Sequence, residues 1–320
     1  MSSEIDITVV IPVYNNAPTL AELTTRLQHT LNLCTQRFEI IFINDGSRDN
    51  SLIILKELAA NNPTIKIINL SRNFGQHPAI CAGFEHANGN IVVLMDADLQ
   101  DRPEDIADIV KKLHDEKADI VYTVKQISDT NLTSRFTSKL YHYVFARIVR
   151  TNIPLNIGTY RAFNKNVLVA LLQFQEANIL YGPLMFYMGF NSCFLDLPYY
   201  ERPHGKSSYT FKKRLGLAVN SLISYTDIPH RVSMIFGLTL LLSSIIYMLI
   251  IVIQQILFGS SLPSGSTLIL LAVCFTLGSV MMSLGIIGSY VFRVYQETLH
   301  RPRYLVKEKI NFPPFQNQKI

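Results

Sequence analysis

The stretch IVVLMDADLQDRPEDI, residues 91–106, decides the fold. Ile91 to Met95 form an apolar run with the composition of a strand buried on both faces. The run stops at Asp96, and a second carboxylate follows at Asp98 with only Ala97 between them. Like charges this close are costly unless something positive lies near them. In an extended chain the side chains at i and i+2 point the same way, so Asp96 and Asp98 are expected to project together from the end of the strand. Paired carboxylates are the oxygen ligands that Mg²⁺ or Mn²⁺ prefers.

Working outward toward the N-terminus, the same pattern repeats. IDITVVIPVY (5–14), FEIIFINDGS (38–47) and TIKIINLSRN (64–73) read as strands, and helical stretches follow at about 18–34, 50–60 and 77–88. Strands alternating with helices predict a largely parallel, three-layer α/β sheet. Ligands of such sheets collect at the carboxyl ends of the strands. Tyr14, Asn15, Asp45, Arg72, Asn73, Asp96 and Asp98 all fall on that edge. Any one of them could be a mere turn former, but that reading strains to explain the row. No GxGxxG follows the first strand and no GxxxxGK[ST] occurs, so a dinucleotide dehydrogenase or a P-loop ATPase is poorly supported. The edge is acidic where phosphate-binding loops are rich in glycine, which suits a diphosphate bridged by a metal ion.

Composition divides the chain. Charged residues make up 17%, and from Val232 to Phe292 there is not one Asp, Glu, Lys or Arg. Two apolar runs, 232–258 and 267–292, are each long enough to cross a bilayer core of about 30 Å as helices. The uncharged GSSLPSGS lies between them, and Lys212, Lys213, Arg214, Arg231, Arg293, Arg301, Arg303, Lys307 and Lys309 lie outside the pair. The positive-inside rule then places both ends in the cytoplasm. Gly278, Ser279, Ser283, Gly285 and Gly288 equip the second run for close helix packing or self-association. Before the first run, 211–231 reads as amphipathic helix at the interface, and SRFTSKLYHYVFARIVR (134–150) shares that character. The expected organisation is a catalytic domain over 1–210, juxtamembrane helices over 211–231, two spans with a short loop near 259–266 inside 232–292, and a C-terminal tail over 293–320. The net charge of +5 is too mild and too dispersed to argue for nucleic acid. The four cysteines form no CxxC pair, which fits a reducing compartment, and the N-terminus MSSEIDITVV does not read as a signal peptide.

At this point VVIPVYNN, INDGSRDNS, LSRNFGQHPAICAGFEHANGN and LMDADLQDRPEDI, with the two apolar runs and RPRYLV, resemble the family 2 glycosyltransferases acting on polyprenyl phosphates. The resemblance implies a GT-A fold, a Rossmann-like and mostly parallel sheet, joined to a two-helix transmembrane hairpin. It implies inverting transfer of one sugar, from a UDP-sugar by preference, to a polyprenyl phosphate such as undecaprenyl phosphate, at a bacterial inner membrane. Pro12, Tyr14 and Asp45 would cradle the donor's base and ribose, with Asn15, Arg72, Asn73 and Gln76 beside them. Asp96 and Asp98 would hold the diphosphate through Mg²⁺ or Mn²⁺, and Gln100 would lie beside the sugar. Arg202, with Lys206, Ser207 and Ser208 of RPHGKSSY, would grip phosphate, and relatives form tetramers.

The departures from the family pattern concern the same residues. Its usual acidic residue after YN is Asn16, its Lys position in the RPHGKSSY loop is Ser208, and GEY of the second span is GSY (288–290). In GTYRAF (158–163), Thr159 stands where bacterial relatives often carry an Asp proposed as catalytic base. A phosphate monoester with a second pKa of about 6 is already mostly dianionic at neutral pH. It can attack unaided once aligned, so Thr159 is assigned to positioning the acceptor; Asp96, Asp98, Thr159 and Arg161 are the residues expected to carry catalysis. Three rivals remain. A processive polysaccharide synthase carries QxxRW, and this chain has no Trp. A mannose synthase using GDP-mannose shares the motifs. A non-catalytic membrane scaffold fits the lost acidic positions but not the intact DxD.

Overall fold

The computed structural model describes residues 5–126, 157–176, 179–198 and 265–313, with seven further residues between 239 and 257. The chain divides into two units, one formed by 1–208 with 302–320 and the other by 209–301.

In the first unit the apolar runs become strands at or near the expected places. They are β1 (Ile7–Val13), β2 (Phe38–Asn44), β3 (Ile65–Leu70) and β4 (Ile91–Leu94). Helices α1 (Ala17–Cys34), α2 (Ser51–Ala60) and α3 (Gln76–Phe84) join them. After β4 come a single 3-10 turn (Pro103–Asp105), α4 (Ile106–Asp115) and β5 (Ile120–Gln126). Then follow β6 (Ile157–Asn164), α5 (Lys165–Leu172), α6 (Tyr181–Tyr187) and β7 (Ser192–Pro198). Asn164 caps α5, its side chain accepting from the Val167 amide.

The eight strands form one sheet in the order β7-β5-β6-β4-β1-β2-β3-β8. β8 (Val306–Ile310) comes from the segment read as a C-terminal tail, and it pairs antiparallel with the β3 edge. Within the strand set only β6 and β8 run against the common direction. The sheet is therefore mostly parallel, as expected, but its middle is mixed.

Alternation along the strands feeds two cores. Ile7, Val9, Ile11, Val13, Phe42 and Val93 pack on one face with Leu20, Leu23 and Leu27 of α1 and with Ile106 and Ile109 of α4. Val10, Ile41, Ile43, Val92 and Leu94 pack on the other with Ala79, Ile80 and Phe84 of α3 and with Leu184 of α6. Every residue of β4 is buried, which accounts for its unbroken apolar composition.

The return of the tail is pinned at several points. Ser71 N donates to Leu305 O at 2.9 Å, Lys56 pairs with Glu308 at 2.7 Å, and Arg303 Nη2 donates to Phe174 O at 2.8 Å. Asn311 Nδ2 donates to Ala59 O at 2.8 Å and to Ile65 O at 2.9 Å.

In the second unit, α7 (Gly265–Thr298) is a continuous helix of 34 residues that contains the second apolar run. Counted over the described residues alone, no helix is long and apolar enough to cross a membrane. Most of the first run, the segment 134–150 and the segment 211–231 lie outside the described residues.

Candidate active site

The loops after β1, β2, β3 and β4 share one edge of the sheet and are fastened to one another in series. Asn15 takes a left-handed conformation, φ 56°, which Asn tolerates better than most residues. Its amide donates to Ser47 Oγ at 3.1 Å, and its Oδ1 accepts from Arg48 N at 2.8 Å, tying the first loop to the second. Asn16, at the position where the family pattern has an acid, folds its Oδ1 back to accept from Tyr14 N at 3.1 Å.

Asp45, only 3% exposed, ties the second loop to the third. Its carboxylate accepts from Phe74 N at 2.7 Å and from Gly75 N at 2.9 Å. Burial pushes this carboxyl up, and the two amides pull it back. Gln76 opens α3, and its Nε2 donates to Asp96 Oδ1 at 2.9 Å, tying the third loop to the fourth. Pro12, next to last in β1, is half-buried, while Tyr14, Arg72 and Asn73 stand exposed at this edge, with the Arg72 guanidinium 4.8 Å from the Phe74 ring centroid.

The acidic pair itself is held differently from expectation. The strand ends at Leu94 and a turn begins at Ala97, between the two acids, so strand pleating alone does not aim Asp96 and Asp98 together. A turn does. Asp98 Oδ1 accepts from Gln100 N at 3.0 Å, and Leu99, buried, is left-handed with φ 63°. Ala97 O accepts from Thr19 Oγ1 of α1 at 2.7 Å. Asp101, 2% exposed, closes the turn by accepting from Asp96 N at 3.1 Å through Oδ2. Its Oδ1 lies 2.7 Å from Lys125 Nζ, at the end of β5. Sequence reasoning passed over both residues. Asp101 carries a visible signal, a third acid around the same turn; Lys125 carries none, since only the sheet brings it there.

Because β6 is reversed, its first residues reach the edge where the parallel strands end. Leu94 pairs with Arg161, and continuing that register puts Thr159 at the level of Asp96. Arg161 is 6% exposed and turns away from solvent. Its Nε donates to Thr159 O at 2.9 Å and its Nη2 to Gly158 O at 2.9 Å, while the guanidinium lies 5.4 Å from the Tyr122 ring centroid. Arg161 thus braces the backbone that presents Thr159. Arg202, Lys206, Ser207 and Ser208 lie outside the described residues.

Beside Gln76, His77 Nδ1 is buried without a hydrogen-bond partner among the described residues. Burial, with the Arg161 charge, pushes its pKa down to about 4. The unfolded chain therefore binds a proton that the folded chain refuses, and stability falls as pH drops from about 7 toward 4. One pKa unit corresponds to about 1.4 kcal/mol, so this residue should account for about 3 kcal/mol across that window. Melting curves of wild type and His77→Gln should converge as pH falls, and parallel curves would show that His77 is not the source.

Among the described residues no three His, Cys, Asp or Glu side chains converge on one point. Asp101 is committed to Asp96 N and to Lys125, which leaves Asp96 and Asp98 as the acidic donor set. That set fits Mg²⁺ or Mn²⁺ of the kind that takes one or two carboxylates and completes its shell with substrate phosphates and water.

Residues 8–172 match the profile of glycosyl transferase family 2. The uncharacterized glycosyltransferase sll0501 of Synechocystis sp. is 34% identical over 95% of this chain and 95% of its own length. The undecaprenyl-phosphate 4-deoxy-4-formamido-L-arabinose transferase of Pseudomonas syringae is 32% identical over 94% of this chain and 90% of its own. Among solved structures, the mannosyltransferase PcManGT from Pyrobaculum calidifontis, in complex with GDP-Man and Mn²⁺, aligns with a TM-score of 0.47 and 18% identity over 92% of this chain and 89% of that one, a likeness too loose to bear on the substrate. The profile over more than half of the chain, and relatives at this identity along nearly all of it, show that the protein is a glycosyltransferase belonging to glycosyl transferase family 2.

Proposed function

We propose that the protein transfers a single sugar, with inversion, from a nucleotide diphosphate sugar to the phosphate of a polyprenyl phosphate, with a UDP-sugar and an undecaprenyl-type lipid as the favoured pair. The observation that carries the reading is the Asp96–Asp98 turn at the carboxyl edge, hydrogen-bonded through Gln76 to the loop that Asp45 holds. The name of the Pseudomonas syringae relative supports the lipid phosphate as acceptor. A divalent ion held by Asp96 and Asp98 would supply Lewis-acid neutralisation of charge on the departing diphosphate. The chain's own residues do the rest. Gln76 and the Asp101-closed turn fix the carboxylates, the loops bearing Tyr14, Asp45 and Arg72 take the nucleotide, and Thr159, braced by Arg161, aligns the acceptor phosphate. The two charge-free runs of the sequence support a membrane location with the catalytic unit and both termini on the cytoplasmic side, where a lipid-borne acceptor is met.

The test is direct. Purified protein in detergent receives Mn²⁺, undecaprenyl phosphate and labelled UDP- or GDP-sugars. Label should pass from one UDP-sugar to a lipid-extractable, acid-labile product. Transfer from GDP-mannose alone would make the protein a mannose synthase, and no transfer from any donor would defeat the reading.

Thr159→Asp should not raise turnover and should leave the pH profile without a new limb, because it places a like charge beside the acceptor phosphate that Thr159 aligns. The acceptor's own second ionisation near pH 6 sets the rate, and activity should fall below that pH with or without the substitution. A many-fold gain with a steeper profile would restore a base at this position.

A further inference from the structure

Lys125 has no part in the reaction as described, and Asp101 enters it only by closing the acidic turn. They form a buried ion pair at 2.7 Å under the turn that carries Asp96 and Asp98, with Asp101 almost wholly inaccessible and the Lys125 side chain 20% exposed. Asp101 uses its second oxygen on the main chain of Asp96 itself, at 3.1 Å. The turn needs such a fastening. It leaves the strand at Leu94 and passes through a left-handed Leu99, and within it are gathered three acids in six residues. Asp96 and Asp98 repel one another; Gln76 and the Gln100 amide hold their side chains, and Asp101 adds a hold on the main chain. Lys125 reaches Asp101 from a different strand and occupies its Oδ1 at 2.7 Å, so it would also keep Asp101 from joining a metal ion's ligands.

We infer that Asp101 is a positioning residue, anchored on its other oxygen by Lys125, that fixes the Asp96 backbone and thereby sets the affinity of the carboxylate pair for a divalent cation. The inference rests on the metal-binding reading above for its consequence, but its first test does not. Amide exchange at Asp96, followed without metal, should be about 10- to 100-fold faster in Asp101→Ala than in wild type, since a hydrogen bond to a charged acceptor is lost. The half-saturating Mn²⁺ concentration in the presence of UDP, read by calorimetry and separately as the Mn²⁺ dependence of turnover, should rise about 10- to 100-fold, the usual cost of removing a group that orients a ligand. Turnover at saturating Mn²⁺ should fall far less.

The variant Asp101→Asn combined with Lys125→Met keeps an acceptor for the Asp96 amide and removes both charges. It should return Asp96 exchange and Mn²⁺ affinity to within about threefold of wild type, whereas Lys125→Met alone strands a buried carboxylate and should do worse than the pair. If Asp101→Ala does not fold, the comparison of Lys125→Met with the double variant carries the same decision. A folded Asp101→Ala protein with wild-type Asp96 exchange, or with a lowered melting temperature and unchanged Mn²⁺ affinity, would overturn the inference. Wild-type protein that binds no Mn²⁺ would instead defeat the metal reading, and the exchange data would still decide the role of Asp101.

Discussion

Asp98→Asn should lower kcat by about 10²–10³-fold, the loss typical when one electrostatic contribution to a developing charge is deleted. The substitution is a narrow one. Asn keeps the side-chain oxygen that accepts from Gln100 N at 3.0 Å, so the turn should survive and the melting temperature should stay within about 2 °C of wild type. What goes is one of the two negative charges that Asp96 and Asp98 present to a cation. Initial rates measured across a Mn²⁺ titration separate the outcomes. The variant should need more Mn²⁺ and should remain slow at saturation. A variant as fast as wild type at every Mn²⁺ concentration would mean that the carboxylate pair is not where the diphosphate is held.

The second large effect is expected at Gly46, where two conditions coincide. Its φ of +62° is left-handed, and a Cβ built there would lie 2.5 Å from both Arg72 C and Asn73 N. The conflict is with backbone, which cannot rotate aside. Gly46→Ala therefore drives the second loop from the third, at the point where Asp45 grips Phe74 N and Gly75 N. Left-handed strain of about 1–2 kcal/mol and overpacking of about 1–3 kcal/mol together amount to about 2–5 kcal/mol. The melting temperature should fall accordingly, and UDP affinity should drop by at least about tenfold. Gly46→Asn separates the causes. Asn accepts the left-handed backbone but carries the same Cβ, so it should be no better tolerated than Ala. A well-folded Asn variant with normal UDP affinity would show that only the backbone angle mattered.

The parallel core was legible because its strands are short, apolar and each followed by a helix, so local pattern and tertiary role agree. FEIIFIN and IVVL are buried throughout, and nothing else in the chain competes for that reading. Asp96 and Asp98 were legible as a pair, yet the expected reason for their alignment was not the operating one. Pleating was invoked, whereas a turn with left-handed Leu99 and the Asp101 clasp does the holding. Long-range partners were beyond reach in principle. Lys125 meets Asp101 only because β5 and β4 flank a reversed β6, and that reversal has no local signature. Asp45 illustrates the opposite case. Its place at the edge was readable, but its use as a clamp on the amides of Phe74 and Gly75 depends on a loop 29 residues away. The strand Val306–Ile310 was missed because VKEKI is short and charged, and such strands are common where a sheet ends.

That last strand carries a consequence for how the protein is made. β3 is complete at Leu70, but the strand that covers its open side begins at Val306, 236 residues later in the chain. At about 5–20 residues per second of synthesis, the bare ladder of β3 waits roughly 10 to 50 seconds on the ribosome for its neighbour. During that interval it is an exposed sheet margin of the kind that invites pairing with another nascent chain. A stop codon placed just upstream of Val306 would make the wait permanent, and such a product should collect in inclusion bodies even though every residue of the acidic turn is present.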